Sequence, residues 1–256
     1  MSRASLALAL LLAPLTAAAE IPEGERRSDT AAMSAAMQAM QADDAANPGM
    51  LSVLDGEALW AAPAGAAGRS CGTCHGDAVA SMRGVAARYP AWSATRGTPV
   101  DLAGKINECR TLRQEVTTLA PESPERLALT AFVAHQSRGW PITPPDDPNS
   151  AAARARGRVL WTARVGQLNL SCAACHDANH GRSLAGTAIP QAHPVGYPIY
   201  RLEWQATGSL QRRFRNCLTG VRAEPYPFDA PEWIDLEAYL MGRASGLSIE
   251  TPAVRP

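Results

Sequence analysis

Cys71-Gly72-Thr73-Cys74-His75 and Cys172-Ala173-Ala174-Cys175-His176 are two copies of one pattern, Cys-x-x-Cys-His, and they constrain this 256-residue chain more than any other feature. The pattern attaches c-type haem. Its two thiols form thioethers to the porphyrin and its histidine supplies one axial ligand to iron. A zinc site needs four clustered ligands with closing spacing, whereas each motif offers one pair and an adjacent histidine. Aromatic residues make up only 5% of the chain, which suits a core filled largely by porphyrin. The fold expected is mainly α: two tandem cytochrome c-like domains with long haem-covering loops. Two covalently bound haem c groups are expected, on Cys71 and Cys74 and on Cys172 and Cys175, with His75 and His176 on the irons.

The chain begins with an export signal. Arg3 is its positive region, residues 6–15 form a short apolar run, and Ala17-Ala18-Ala19 is a small-residue cleavage site. Cleavage is expected after Ala19, with delivery to the periplasm. No other run reaches the roughly 18 apolar residues of a membrane-spanning helix. Without the single arginine of the first 19 residues, 23 basic residues face 24 acidic ones, a balance that argues against nucleic acid as a partner. Lys105 is the only lysine; the other cations are arginines, which suit forked recognition of oxyanions.

The remainder is an internal duplication. Gly56-Glu57-Ala58-Leu59-Trp60 precedes the first motif and Gly157-Arg158-Val159-Leu160-Trp161 the second, with each tryptophan 11 residues before its first cysteine. Each reads as a helix whose leucine and tryptophan pack near haem. Tyr89-Pro90 and Tyr197-Pro198 mark a loop after each motif. A helix carrying a lone cysteine follows, with Leu102, Ile106, Cys109 in one half and Leu210, Phe214, Cys217 in the other, both spaced i, i+4, i+7. A last helix closes each half, over 129–139 and 236–246. The expected organisation is a signal peptide over 1–19, an N-terminal helical extension over 20–49, a first domain over 50–140, a Pro-rich linker over 141–150, and a second domain over 151–256. Residues 31–46 have strong helix composition, and Met33, Met37 and Met40 share one face. That helix is expected to pack on the first domain or on a partner.

Cys109 and Cys217 occupy the place where each iron's second ligand is wanted. Met82 and Met241 do not fall at matching loop positions. Ligation through His75 with Cys109 and His176 with Cys217 is one reading; a Cys109–Cys217 disulfide in an oxidising compartment is the other. His135, His180 and His193 read as solvent or loop residues, with His193 also a possible ligand or propionate contact. Arg213 shares a helical face with Cys217 one turn earlier, and Lys105 stands likewise to Cys109. Arg201, Arg212, Arg215 and Arg222 make the second neighbourhood strongly basic.

The two haem motifs, the cysteine after each, and the run Arg212-Arg213-Phe214-Arg215-Asn216-Cys217-Leu218-Thr219-Gly220 resemble the SoxA family, the dihaem subunits of the SoxAX cytochromes of bacterial sulfur oxidation. The resemblance covers nearly the whole mature chain. It implies an L-cysteine S-thiosulfotransferase that couples thiosulfate oxidatively to a cysteine of the carrier protein SoxYZ. It also implies a small monohaem partner, SoxX, and an acceptor cytochrome that takes the electrons. By motif, Cys217 corresponds to the axial ligand of the active-site haem, found as a persulfide in the family. Arg213 corresponds to the active-site arginine and Cys109 to the axial ligand of the outer haem. Some members lack the first haem; this chain keeps its full motif. A thiosulfate dehydrogenase forming tetrathionate and a plain electron-transfer dihaem cytochrome are the alternatives.

Overall fold

A computed structural model describes residues 20–256; the expected signal peptide lies outside the described residues. The N-terminal extension holds two 3-10 turns, Glu23–Glu25 and Asp29–Ala32, and helix α1 (Ala35–Ala42). The first half follows with α2 (Met50–Ala61), α3 (Cys71–His75), α4 (Ala78–Ser81), a hairpin of β1 (Ala91–Ser93) and β2 (Thr98–Val100), α5 (Leu102–Cys109) and α6 (Pro124–His135). The second half repeats the order. It has α7 (Pro148–Thr162), α8 (Cys172–His176), a small hairpin of β3 (Ser183–Leu184) and β4 (Thr187–Ala188), a hairpin of β5 (Ile199–Arg201) and β6 (Ala206–Gly208), α9 (Leu210–Gly220) and α10 (Pro231–Arg243). Strand β7 (Val254–Arg255) then pairs parallel to β5.

Helix starts follow local chemistry. Ser123 and Asp147 cap α6 and α7 with side-chain acceptors, and a proline takes the first helical position of each. Ser70 and Ser171 cap the two motif helices in the same way. None of the described helices is long and apolar enough to cross a membrane.

In each half, the helix before the motif crosses the closing helix at a glycine. A Cβ on Gly56 would lie 2.1 Å from the Ala128 carbonyl oxygen, and one on Gly157 would lie 2.0 Å from that of Asp235. The bare crossings let Trp60 pack on Phe132 and Trp161 on Tyr239. One core gathers Val53, Trp60, Met82 and Phe132. Another gathers Trp161, Trp233, Leu236 and Leu240. A third, with Ala87, Ile142, Val195, Met241 and Ile249, joins the halves. The two methionines considered as ligands are therefore core residues. The segment expected as a linker is held in place: Ile142 is buried, its N–H donates to Leu247 O, and α7 already starts at Pro148.

The N-terminal extension departs from expectation. Its helix covers only Ala35–Ala42, because Ser34 restarts the chain as a cap and Asp43 turns it by accepting from Ala45 N–H. Met33 lies outside the helix, and all three methionines are half-buried. The extension packs on both halves: Arg138 of the first domain donates to Gln41 O and pairs with Asp44, and the C-terminal segment of the second half meets it as well. Gln41 accepts from Val254 N–H, Asn47 donates to Pro252 O, and Thr30 donates to Glu250.

Gly157→Ala should lower stability by about 1–3 kcal/mol, because an added Cβ overpacks the crossing. Gly220→Ala, where nothing lies within 4 Å, should change stability by less than about 0.5 kcal/mol. Thermal denaturation of the two variants beside wild type checks both outcomes.

Candidate active site

Each Cys-x-x-Cys-His run folds as one short helix, so its two thiols and imidazole are presented from a single turn. A tight turn closed by Ala64–Arg69 and another by Val165–Leu170 deliver the chain into those helices. The same turns meet the chain beyond the lone cysteines. Gly65 approaches the Gln114 carbonyl and Gly166 that of Val221, each too closely for a Cβ and each with positive φ. The lone-cysteine helix of each half is thereby anchored beside the motif of that half.

The cysteines gather by half. Burial raises the Cys172 thiol to about 12, and negative charge on Cys217 adds to that rise. Cys217 acts likewise on Cys175. In the first half, burial raises the Cys71 and Cys109 thiols, with charge on Cys109 adding to the first rise and charge on Cys74 to the second. All six cysteines are free, so Cys109 and Cys217 are not joined.

The imidazoles are set by aromatic neighbours. Trp60 lies 5.7 Å from the His75 ring and Trp161 lies 5.6 Å from the His176 ring. The Pro190 carbonyl can only accept, so His176 Nδ1 carries the proton at 2.8 Å and Nε2 keeps its lone pair for a metal. Burial also holds the His176 pKa below its ordinary value, which favours the neutral ligand form. Two thiols, an imidazole and a lone cysteine nearby in each half are a donor set that fits covalently attached haem. His135, His180 and His193 have their Nδ1 atoms tied to the carbonyls of Thr251, Asp177 and Arg27.

The two lone cysteines differ in their cations. Lys105, one turn before Cys109, bonds Glu108 at 2.6 Å. Glu108 also accepts from Ser93 at 2.6 Å and faces Arg96 at 3.5 Å. Burial opposes its charge, but these partners outweigh burial and hold its pKa below the ordinary value. Arg213, one turn before Cys217, has no ion pair or side-chain hydrogen bond among the described residues. Its neighbours on α9 are engaged elsewhere: Arg212 stacks on Trp204 at 4.2 Å, while Arg215 covers Phe228 and donates to the Tyr226 carbonyl. Burial disfavours the charge on Arg213, yet Cys217, Tyr197 and Glu203 together keep its pKa raised.

A second guanidinium joins it. Arg201 reaches in from β5, pairs with Glu203 at 3.0 Å and lies 5.2 Å from the Trp204 ring centre. Its Nε is buried without a partner, and burial and the charge of Arg213 depress its pKa. In the sequence Arg201 was one cation in a basic run; only the hairpin brings it to Arg213. Two guanidiniums, Arg201 sensing the charge of Arg213, beside a half-buried sulfur are a donor pair suited to an oxyanion.

The SoxA/TsdA cytochrome c domain family matches this chain twice, over residues 55–142 and 156–249. The L-cysteine S-thiosulfotransferase subunit SoxA of Pseudaminobacter salicylatoxidans is 36% identical over 247 residues, covering 94% of this chain and 86% of the relative. The subunit of the same name from Rhodovulum sulfidophilum is 34% identical over 218 residues, covering 85% and 76%. The crystal structure of SoxXA from P. pantotrophus superimposes with a TM-score of 0.85 at 30% identity, covering 90% of this chain and 86% of that one. Duplicated motif helices, a lone cysteine set against each, and these likenesses over nearly the whole described chain lead to one conclusion: the chain belongs to the SoxA family of c-type cytochromes.

Proposed function

We propose that the chain is the catalytic dihaem subunit of a thiosulfate-oxidising L-cysteine S-thiosulfotransferase. The observation that carries this reading is Arg213, an unpaired guanidinium one turn before Cys217, while Lys105 in the matching place is neutralised by Glu108. Cys172 and Cys175 would hold the active-site haem by thioethers, with His176 and Cys217 as axial ligands. Cys71, Cys74, His75 and Cys109 would hold a second haem in the same way. When bound, haem supplies a one-electron acceptor of low potential, since an anionic thiolate favours the ferric state.

The residues of the second domain, 151–256, do the rest. Arg213 and Arg201 bind the thiosulfate dianion through charge-assisted, forked hydrogen bonds. They leave its outer sulfur toward Cys217 and toward a cysteine of the SoxYZ carrier. A bond forms between that outer sulfur and the carrier sulfur, one proton leaves the carrier thiol, and two electrons depart to an acceptor cytochrome. The relatives' names support this reaction, and the likeness to SoxXA supports a SoxX-like monohaem partner. The export signal at the N-terminus supports a periplasmic location.

Intact mass of the exported protein should show two added haem groups, and paramagnetic resonance should show low-spin, thiolate-ligated iron. A single haem would remove the first motif from the assignment.

Removing a charge-assisted hydrogen bond costs roughly 1.5–3 kcal/mol, so Arg213→Ala should slow coupling about 10- to 100-fold. Arg213→Lys should recover only part of the rate, because a point charge does not replace the fork. Cys217→Ala should keep its haem yet lose most activity, and Lys105→Ala should leave the rate within about twofold, a change of about 0.4 kcal/mol or less. The assay combines thiosulfate, purified carrier and an electron acceptor; tetrathionate formed without carrier would point to a thiosulfate dehydrogenase instead.

A further inference from the structure

The proposed coupling frees one proton from the carrier thiol, and neither arginine of the site can take it. The N-terminal segment supplies a group that can. Residues 25–27 lie along the loop 190–193: Arg27 N–H donates to Gln191, Gln191 donates to Glu25 O, and His193 Nδ1 donates to Arg27 O. This loop also carries the Pro190 carbonyl that orients His176. Asp29 then opens the second 3-10 turn, capped by Ser28.

Asp29 faces Arg213 from α9, Tyr197 from the loop before β5, Glu250 from the C-terminal segment and Arg255 from β7. Its Oδ1 is buried and has no hydrogen-bond partner. Among the described residues it forms no ion pair; Arg255 is taken by Glu250 at 3.2 Å, and Thr30 also donates to Glu250. A buried, unpartnered carboxyl is costly to keep, and such groups concentrate where chemistry uses them.

We propose that Asp29 is the proton acceptor for coupling at Cys217, which makes the N-terminal segment a wall of the active site. The inference rests on the thiosulfate-coupling reading above. As the carrier sulfur bonds to the outer sulfur of thiosulfate, the S–H bond breaks and its proton passes to Asp29 Oδ1. The two electrons leave toward the acceptor cytochrome. Burial, reinforced by Glu250 and opposed by Arg255 and Arg213, raises Asp29 from 3.8 to about 6, so at neutral pH it is an ionised base close to the operating pH.

The test is the pH–rate profile of the haem-loaded protein with its monohaem partner, thiosulfate, carrier and electron acceptor. The base form is lost as pH falls through about 6, so the wild-type rate should fall on the acid side with an inflection there. Asp29→Asn should lower kcat on the order of 100-fold and abolish that inflection. Asp29→Glu should retain much of the rate with the inflection displaced. Because the folded-state value exceeds the unfolded one, the ionised group loses stability as pH rises from 3.8 through about 6. Asp29→Asn should therefore melt no lower than wild type at pH 7.5, which separates lost chemistry from lost fold. A wild-type rate and acid inflection in Asp29→Asn, with Arg213→Ala still slow, would overturn the role of Asp29 and leave the coupling reading standing. Full speed in Arg213→Ala as well would overturn both.

Discussion

Two helices approach as closely as α7 and α10 do only where one of them gives up its side chain. Gly157 is that place, and the rest of the second half depends on it. One turn further on, Trp161 is buried and donates from Nε1 to Asp177 at 2.7 Å, beside the ring of His176. Arg243 of α10 stacks on the same indole at 4.6 Å and pairs with Asp177 at 2.6 Å. The crossing thus fixes an indole, the indole fixes a carboxylate, and the imidazole proposed as the iron ligand is held among them. The first half uses the same device with Gly56 and Trp60, where the indole N–H goes to the Gly76 carbonyl.

Duplication gave both halves the same scaffold, and the difference between them is local electrostatics. Lys105 has a carboxylate three residues away on its own helix, within easy reach. The corresponding turn of α9 has Asn216 in place of an acid, so Arg213 keeps its charge unpaired. The hairpin before α9 adds Arg201 at the same spot, whereas the hairpin before α5 contributes Arg96 to the Glu108 cluster. One half neutralises its cations beside the cysteine; the other accumulates them.

The elements legible in the sequence were those set by short-range pattern. The two motifs, the glycine–tryptophan spacing, the i, i+4, i+7 faces before Cys109 and Cys217 and the mainly helical class all follow from neighbours a few residues apart. What escaped was set by competing local caps or by distant partners. The helix expected over 31–46 was shortened by Ser34 and Asp43, whose capping competes with helix propensity. Arg201 depends on a hairpin and on Trp204, and Asp29 on charged and titratable groups 168 or more positions away. Neither carries a sequence signal beyond its charge. The segment at 141–150 reads as a linker because of its prolines, yet a single buried isoleucine, Ile142, makes its start part of the contact between the halves.

The docking of the N-terminal segment on the C-terminal strand orders events in time. Thr30 meets Glu250 across 220 positions and Gln41 meets Val254 across 213. The N-terminal segment therefore gains these partners only once the last residues have been made. Each half can close around its own motif by contacts within a hundred residues or so, but the wall that Asp29 contributes waits for the whole polypeptide. A chain cut short of its last residues would carry its motifs and lack the partners that hold this wall in place.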